Sequence, residues 1–464
     1  MLFSTKMPRL LALRWGVWAA AVAVLTFQLF FPPIVGLSDQ GDFARIIGRF
    51  GYGPEDKSPI WDAFVKRKYV PDASARYPTL EQPSSEYLFT GFAVASNKLI
   101  SKDGKLDIRW MGLVHIAAFL AAFGYLLKAT APLRTAPLIW IAALLVLTDV
   151  GYAAYWNSFF SEPASCIFLV LLIAESVSIW VRREASSRQV IRWSIWAALL
   201  VLAKAQNLPL ALVLGPFCLV LARFRWAGIV GFCFVILAGI ANLVTVPKSL
   251  KIAATYNVLF MSIVPESKTP QADLSALGLD QELVKFSGTG AWTPRTAMYD
   301  LARTGALGDR VTPGTVARFY LARPARMWRH ARIMLPIAFL LRPEWCGNYE
   351  RSAGHPPGAR SYSFSLWSAF HERILGRAAK ANVVLLLIAP FILIAMWIRF
   401  PERRSGLEFA FLWAFSCLIA LGAPVFGEAW DNVKHMFLFN LMIDTGLIWA
   451  VNLCVGLVFL QSNK

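Results

Sequence analysis

Apolar stretches of membrane-crossing length recur along this chain, and no other feature limits its folding as tightly. A helix needs about 20 residues to cross the hydrocarbon of a bilayer. Runs of that order fall at 15–35, 108–128, 137–156, 163–181, 193–206, 208–222, 226–246, 381–398, 407–425 and 436–459. The pair 193–206 and 208–222 reads either as one helix broken around Lys204 and Asn207 or as two helices. Counting two keeps the charge parity of the loops. In lipid every backbone N–H and C=O must be satisfied inside its own segment, which leaves helices for runs of this length. With 57% hydrophobic and only 16% charged residues, the composition excludes an ordinary water-soluble fold. The expected fold class is an all-α polytopic membrane protein with about ten transmembrane helices.

The charges orient these helices. The formal charge is +18, yet it is spread in short clusters between apolar runs, which argues for membrane contact and against nucleic acid. One set of short loops collects Lys6, Arg9 and Arg14; Lys128 and Arg134; Arg182, Arg183, Arg188 and Arg192; Arg223 and Arg225; and Arg399, Arg403 and Arg404. The opposite short loops hold only Lys204 and Lys434. By the positive-inside rule both termini are cytoplasmic. The first run is long enough to span and no small-residue cleavage site follows it, so it reads as an uncleaved signal anchor. The cysteines form no disulfide framework and no CxxC pair,.

Two long hydrophilic segments then fall on the extracytoplasmic side. They divide the chain into a membrane module at 1–246 that carries the loop 36–107, an extracytoplasmic region at 247–380, and C-terminal membrane helices at 381–464. Within the first loop, Glu86–Ile100 is semi-apolar and suits a helix lying along the membrane. Within the second, RFYLARPARMWRHAR sets Arg323, Arg326, Arg329 and Arg332 three residues apart, with aromatic residues between them. Such a segment lies in the interface and attracts anionic head groups, or simply anchors a helix to lipid.

The candidate site starts at Gly36–Arg49, GLSDQGDFARIIGR, directly after the first apolar run. Asp39 and Asp42 stand there with Arg45 and Arg49. Acidic side chains at the mouth of a membrane helix must be solvated, paired or used; alternatively Asp42 caps a helix that starts at Phe43. On the predicted topology three further segments face the same side. These are YWNSFFSEP with Asn157, Ser158, Ser161 and Glu162; the end of the fifth run with Lys204 and Gln206; and GEAWDNVKHMFLFN with Asp431, Lys434 and His435. The set suits glycosyl transfer from a lipid-phosphate sugar, in which a carboxylate takes the proton of the acceptor hydroxyl and cations stabilise the leaving phosphate. Asp39 or Asp42 is the candidate base. Lys204, Lys434 and the arginines of 318–332, Arg326 and Arg329 among them, are candidate phosphate partners. Each residue also has a structural reading. Glu162 before Pro163 favours a helix dipole, Lys204 snorkels, and Asp431 with His435 forms an i, i+4 hydrogen-bonded pair or part of a divalent-metal site. Asp444, inside the last run, reads as a polar residue of the bundle interior.

Four of these motifs carry a resemblance. SDQGDFAR (38–45), NSFFSEP (157–163), GNYERSAGHPPGA (347–359) and DNVKHMFLFN (431–440) resemble the GT-C superfamily of membrane glycosyltransferases, more narrowly the bacterial glycan-biosynthesis hexose transferases of the WsfD type. The resemblance implies a polyprenyl-phosphate sugar donor, an extracytoplasmic active site, an inverting mechanism and a bacterial inner membrane. It implies acidic catalytic positions at Asp39 and Asp42 and at Glu162, while Arg45, Lys204, Gln206, Asp431, Lys434 and His435 are substrate-side candidates by their placement and charge. Some members use a divalent cation (Mg or Mn) and others none. Two other classes compete with this reading. A transporter or flippase of lipid-linked glycans would place its charges near the midplane and show repeat symmetry. An accessory subunit of an envelope polysaccharide system would need no chemistry at all.

Overall fold

The computed structural model describes residues 6–59, 62–75, 83–223, 225–401 and 404–461. Arg403, one of the orienting arginines, lies outside the described residues. Each of the ten apolar runs lies mainly in helix. Six helices are long and apolar enough to cross a bilayer: Pro8–Phe30, Arg109–Thr130, Glu162–Arg182, Trp226–Thr245, Ala379–Arg399 and Gly406–Gly427. A seventh candidate is the pair Ala136–Leu147 and Val150–Trp156, bent by 54°. The remaining apolar helices are Ser187–Ala203, the stretch Ala205–Leu221, and the helix that starts at Phe437. The chain is therefore a multi-pass helical membrane protein.

Both interruptions have local causes. At the bend, Asp149 accepts a hydrogen bond from the Gly151 amide at 2.8 Å and another from the Ser368 amide at 2.9 Å. It thereby starts a new helix instead of continuing the old one. At the other, Lys204 is extended (φ −145°, ψ 146°) between Ser187–Ala203 and a 3-10 turn at Ala205–Leu210 that contains Pro209. The carbonyls released there are satisfied by side-chain amides. Asn207 reaches Leu200 O at 2.9 Å, and Asn242 reaches Val201 O and Lys204 O at 2.9 and 3.0 Å. The sequence alternative of two helices, rather than one broken helix, follows from this geometry, and Trp226–Thr245 packs against both pieces.

The outer surface of the bundle is apolar. Leu237 is 60% exposed and Phe391 72%, as expected where lipid rather than water is the solvent. The amphipathic helix of the first loop forms over Glu86–Ile100. It buries Glu86, Thr90 and Asn97 while exposing Leu88, Phe92 and Leu99, the inversion that suits a membrane interface.

The all-α expectation missed two small sheets. Strand β1 (Val35–Leu37) pairs antiparallel with β5 (Cys346–Tyr349), with Val35 opposite Tyr349. Strands β2 (Tyr52–Pro54), β3 (Lys68–Pro71) and β4 (Leu106–Asp107) form an antiparallel sheet in the first loop. The β1–β5 pair ties the two long loops together. In the second loop Tyr256, Phe260, Leu307 and Phe319 belong to a hydrophobic cluster separate from the main core.

Candidate active site

Buried polar contacts set the exit angle of the first membrane helix. The Asn157 amide donates to Leu29 O at 3.0 Å and to Val35 O at 2.9 Å, holding the end of helix Lys6–Phe30 and strand β1 together. It has room to do so because residue 112 is glycine. A Cβ there would sit 2.2 Å from Asn157 Oδ1. Asn157 and Ser158 of NSFFSEP are fully buried structural residues.

The two carboxylates of the first loop have separate jobs. Asp39 Oδ1 accepts from the Gly41 and Phe43 amides at 2.8 and 3.3 Å. Asp42 makes no side-chain cap bond. The capping role expected of Asp42 therefore belongs to Asp39, and Asp42 turns to the bundle. Lys434 donates to Asp42 Oδ2 at 2.5 Å and lies 3.0 Å from Asp431 Oδ2. Arg45 closes the other side of Asp42 at 3.1 Å. The Lys434 ammonium lies over the rings of Phe160 (5.1 Å) and Trp345 (5.5 Å), where cation–π attraction adds to the ion pairs. Asp431 is held at φ 56°, ψ 41°, a left-handed conformation that aspartate tolerates better than most residues and that clusters at functional sites.

A second ion pair joins this one. Lys204 donates to Glu162 Oε1 at 2.7 Å and lies 3.3 Å from His435 Nδ1. The Gln206 side chain donates to the His435 carbonyl at 2.6 Å, while its Oε1 faces His435 Nδ1 at 2.8 Å. The amide nitrogen is committed to a carbonyl, so Oε1 faces Nδ1, which donates to Gln206 in one tautomer and accepts from Lys204 in the other,.

Electrostatics separate these groups. Burial pushes the Asp39 carboxyl up, against its two amide hydrogen bonds. Burial alone would also raise Asp42, but Lys434 and then Arg45 outweigh it and hold that carboxyl well below the usual range. Burial would lower Lys434; Asp42 and Asp431 reverse this and raise it. Asp431 is raised by burial in spite of Lys434. His435 is driven well down by burial and by Lys204 and Lys434, so its imidazole is neutral.

The structure thus brings together Asp42, Arg45, Glu162, Lys204, Gln206, Asp431, Lys434 and His435, with Asp39 directly behind Asp42. It does not bring in Arg326 and Arg329. The basic segment breaks at Arg323-Pro324 into helices Pro313–Leu321 and Pro324–Ala338. Arg326 pairs with Asp273 and bonds Thr269, and Arg329 donates to the Glu266 carbonyl at 3.2 Å. Both are spent inside the second loop. The side chains of Asp431 and His435 do not pair as the i, i+4 reading allowed: Asp431 takes Lys434 on its own short helix, and His435 faces Gln206 and Lys204 across the site. The aromatic floor of Phe160 and Trp345 was not singled out in the sequence; the paired phenylalanines beside Glu162 were the one visible hint. Asp444 is an interior polar residue as expected. It accepts from Tyr152 OH and Trp367 Nε1, both at 2.6 Å, with His371 Nε2 3.1 Å away.

Among the described residues no group of three or more His, Cys, Asp or Glu side chains is arranged to hold a metal ion. The clamp of Asp42 and Asp431, which offers carboxylate oxygens from two segments, has the Lys434 ammonium between them.

These features define a polytopic helical membrane protein whose polar site is assembled from four chain segments at one end of the bundle. The model of the YfdI N-terminal transmembrane domain matches residues 6–462, and the chain belongs to that family. No curated protein matches it. The chain is similar to two solved structures. One is the apo Archaeoglobus fulgidus oligosaccharyltransferase, at 15% identity and a TM-score of 0.41, over 97% of this chain and 51% of that one. The other is oligosaccharyltransferase AglB from Archaeoglobus fulgidus in complex with an inhibitory peptide and a dolichol-phosphate, at 16% identity and a TM-score of 0.37, over 94% and 50%. The chain spans about half the length of each.

Proposed function

We propose that the chain is a GT-C-type membrane glycosyltransferase, related in kind to the WsfD-type hexose transferases. It moves a sugar from a polyprenyl-phosphate donor to an acceptor hydroxyl of an envelope glycan, lipid or protein. In this reading ten spans cross a bacterial inner membrane, both termini are cytoplasmic, and the site faces outward. The observation that carries the proposal is the connected set Asp42–Lys434–Asp431 beside Glu162–Lys204–His435, in which carboxylates and ammonium groups from distant segments meet at the ends of apolar helices. A purely structural ion pair needs only two of them.

Asp42 is the base in this scheme. It takes the proton of the acceptor hydroxyl, whose oxygen bonds to the anomeric carbon as the bond from that carbon to the phosphate oxygen breaks with inversion. The reading takes Asp42 rather than Asp39 because Asp39 is committed to two backbone amides, while the partners of Asp42 are cations that a phosphate can draw away,. In the resting site Asp42 is weakly basic because Lys434 holds it. A donor phosphate that draws Lys434 toward itself raises Asp42's basicity as the reactants assemble. Lys434, Lys204 and Arg45 stabilise the departing phosphate, and His435 Nε2 hydrogen-bonds a sugar hydroxyl. Release of polyprenyl phosphate by purified protein in lipid nanodiscs tests the proposal. Full release by an Asp42→Asn variant would remove the base assignment.

One observation favours a second reading. The extended backbone at Lys204, flanked by helix and 3-10 turn, is the kind of interruption that transporters place at their binding sites. A flippase would bind the lipid-linked sugar and move it without releasing lipid phosphate.

A further inference from the structure

The Lys434 ammonium lies between a carboxylate of the first loop and one ahead of the last helix, a pair of acidic groups that could otherwise attract a divalent cation,. Nζ lies 2.5 Å from Asp42 Oδ2 and 3.0 Å from Asp431 Oδ2. Its remaining surroundings suit an ammonium and not a metal. Phe160 and Trp345 offer ring faces at 5.1 and 5.5 Å, whereas Mg²⁺ or Mn²⁺ calls for about six oxygen ligands in near-octahedral array. Glu162 gives Oε1 to Lys204 at 2.7 Å and keeps its buried Oε2 unpartnered among the described residues. Charge agrees with geometry. The carboxylates of Asp42, Asp431 and Glu162 are matched by the cations of Lys434, Arg45 and Lys204, with His435 neutral, so the site holds no surplus negative charge for a dication.

We propose that Lys434 is a tethered replacement for a divalent cation, so that a phosphate-bearing ligand meets a lysine in this clamp and the protein works without metal. The lysine reaches the clamp because Asp431 in its left-handed conformation turns the chain and Lys434 follows three residues later on the short helix Asn432–His435. The phosphate-bearing ligand is the part that rests on the function proposed above; the lysine-for-metal exchange does not.

The test is Mn²⁺ binding to the full chain in nanodiscs, read by loss of the free-ion electron paramagnetic resonance signal. Wild type is expected to take up no Mn²⁺ that depends on Asp42. Lys434→Met frees Asp431 and Oδ2 of Asp42, whose Oδ1 stays on Arg45, and is expected to bind one Mn²⁺ at least about tenfold more tightly than wild type. The gain is expected to vanish in Lys434→Met/Asp42→Asn. A wild-type site abolished by Asp42→Asn overturns the proposal, and so does a folded Lys434→Met that binds no Mn²⁺. Should Lys434→Met fail to fold, wild type against Asp42→Asn still decides. Because the readout is binding, a protein that transfers no sugar but shows this pattern would refute the transferase reading and leave the exchange standing.

Discussion

Replacing the two first-loop carboxylates one at a time separates a base from a cap. Asp42→Asn keeps the shape and removes the charge. Lys434 retains Asp431 at 3.0 Å, so the variant does not leave an orphaned buried cation, whose cost would be about 3–5 kcal/mol. Asp42 is 23% exposed at its side chain, which brings the loss of one charge-assisted hydrogen bond to about 1–2 kcal/mol. Turnover should fall by roughly 10²–10⁴, the span of a lost general base. Asp39→Asn should behave differently. Its Oδ1 still accepts from the Gly41 and Phe43 amides, and burial already favours the neutral form. Turnover should hold, with a stability change below about 0.5 kcal/mol, while Asp39→Ala should cost about 1 kcal/mol as a lost cap. The assay is release of lipid phosphate in nanodiscs alongside thermal unfolding. Normal turnover in Asp42→Asn, or equal loss in Asp39→Asn, would refute the division of roles.

Other perturbations probe the frame around this pair. Lys204→Met strands Glu162, whose side chain is 3% exposed, and should cost roughly 3–5 kcal/mol; adding Glu162→Gln should restore the unfolding temperature but not the donor KM. The pH dependence of stability should differ in sign between Asp431 and Asp42. Asp431 is raised, so its contribution is present at low pH and lost as pH rises through its folded pKa; the unfolding temperature of Asp431→Asn relative to wild type should climb as pH rises above about 4,. Asp42 is lowered, so its contribution is full above about pH 5 and lost as pH falls below about 4; Asp42→Asn should gain on wild type only as the solution is acidified,. Gly112→Ala places a methyl 2.2 Å from Asn157 Oδ1 and should cost about 1–3 kcal/mol by overpacking, with turnover impaired because Asn157 sets the exit of the first helix.

What the sequence disclosed follows the range of the forces involved. Apolar period and length gave the helices, and the interfacial helix at Glu86–Ile100 has the bounds read from its pattern, because both are local properties. Strands β1 and β5 were invisible, since three or four residues show no alternation and their partner lies hundreds of positions away. The spacing D-x-x-D permits either carboxylate to cap the helix at Phe43; the choice depends on Lys434, 392 residues along the chain. Arg326 and Arg329 carried the right charge for a phosphate, and only folding revealed that Asp273 and Glu266 consume them. The meeting of Lys204 with Glu162 was implied by shared sidedness, but its pairing with His435 and Gln206 required the unwound turn after Ala203.

Sugar transfer itself is tested most directly with a polyprenyl-phosphate hexose, radiolabelled in the sugar and presented with envelope glycan to the full chain in nanodiscs. The account predicts that label leaves the lipid phase while polyprenyl phosphate accumulates in equal amount, and that Asp42→Asn binds the donor without releasing it. Donor bound by wild type, or moved between leaflets, with its sugar–phosphate bond intact would contradict the account and leave a carrier in place of an enzyme.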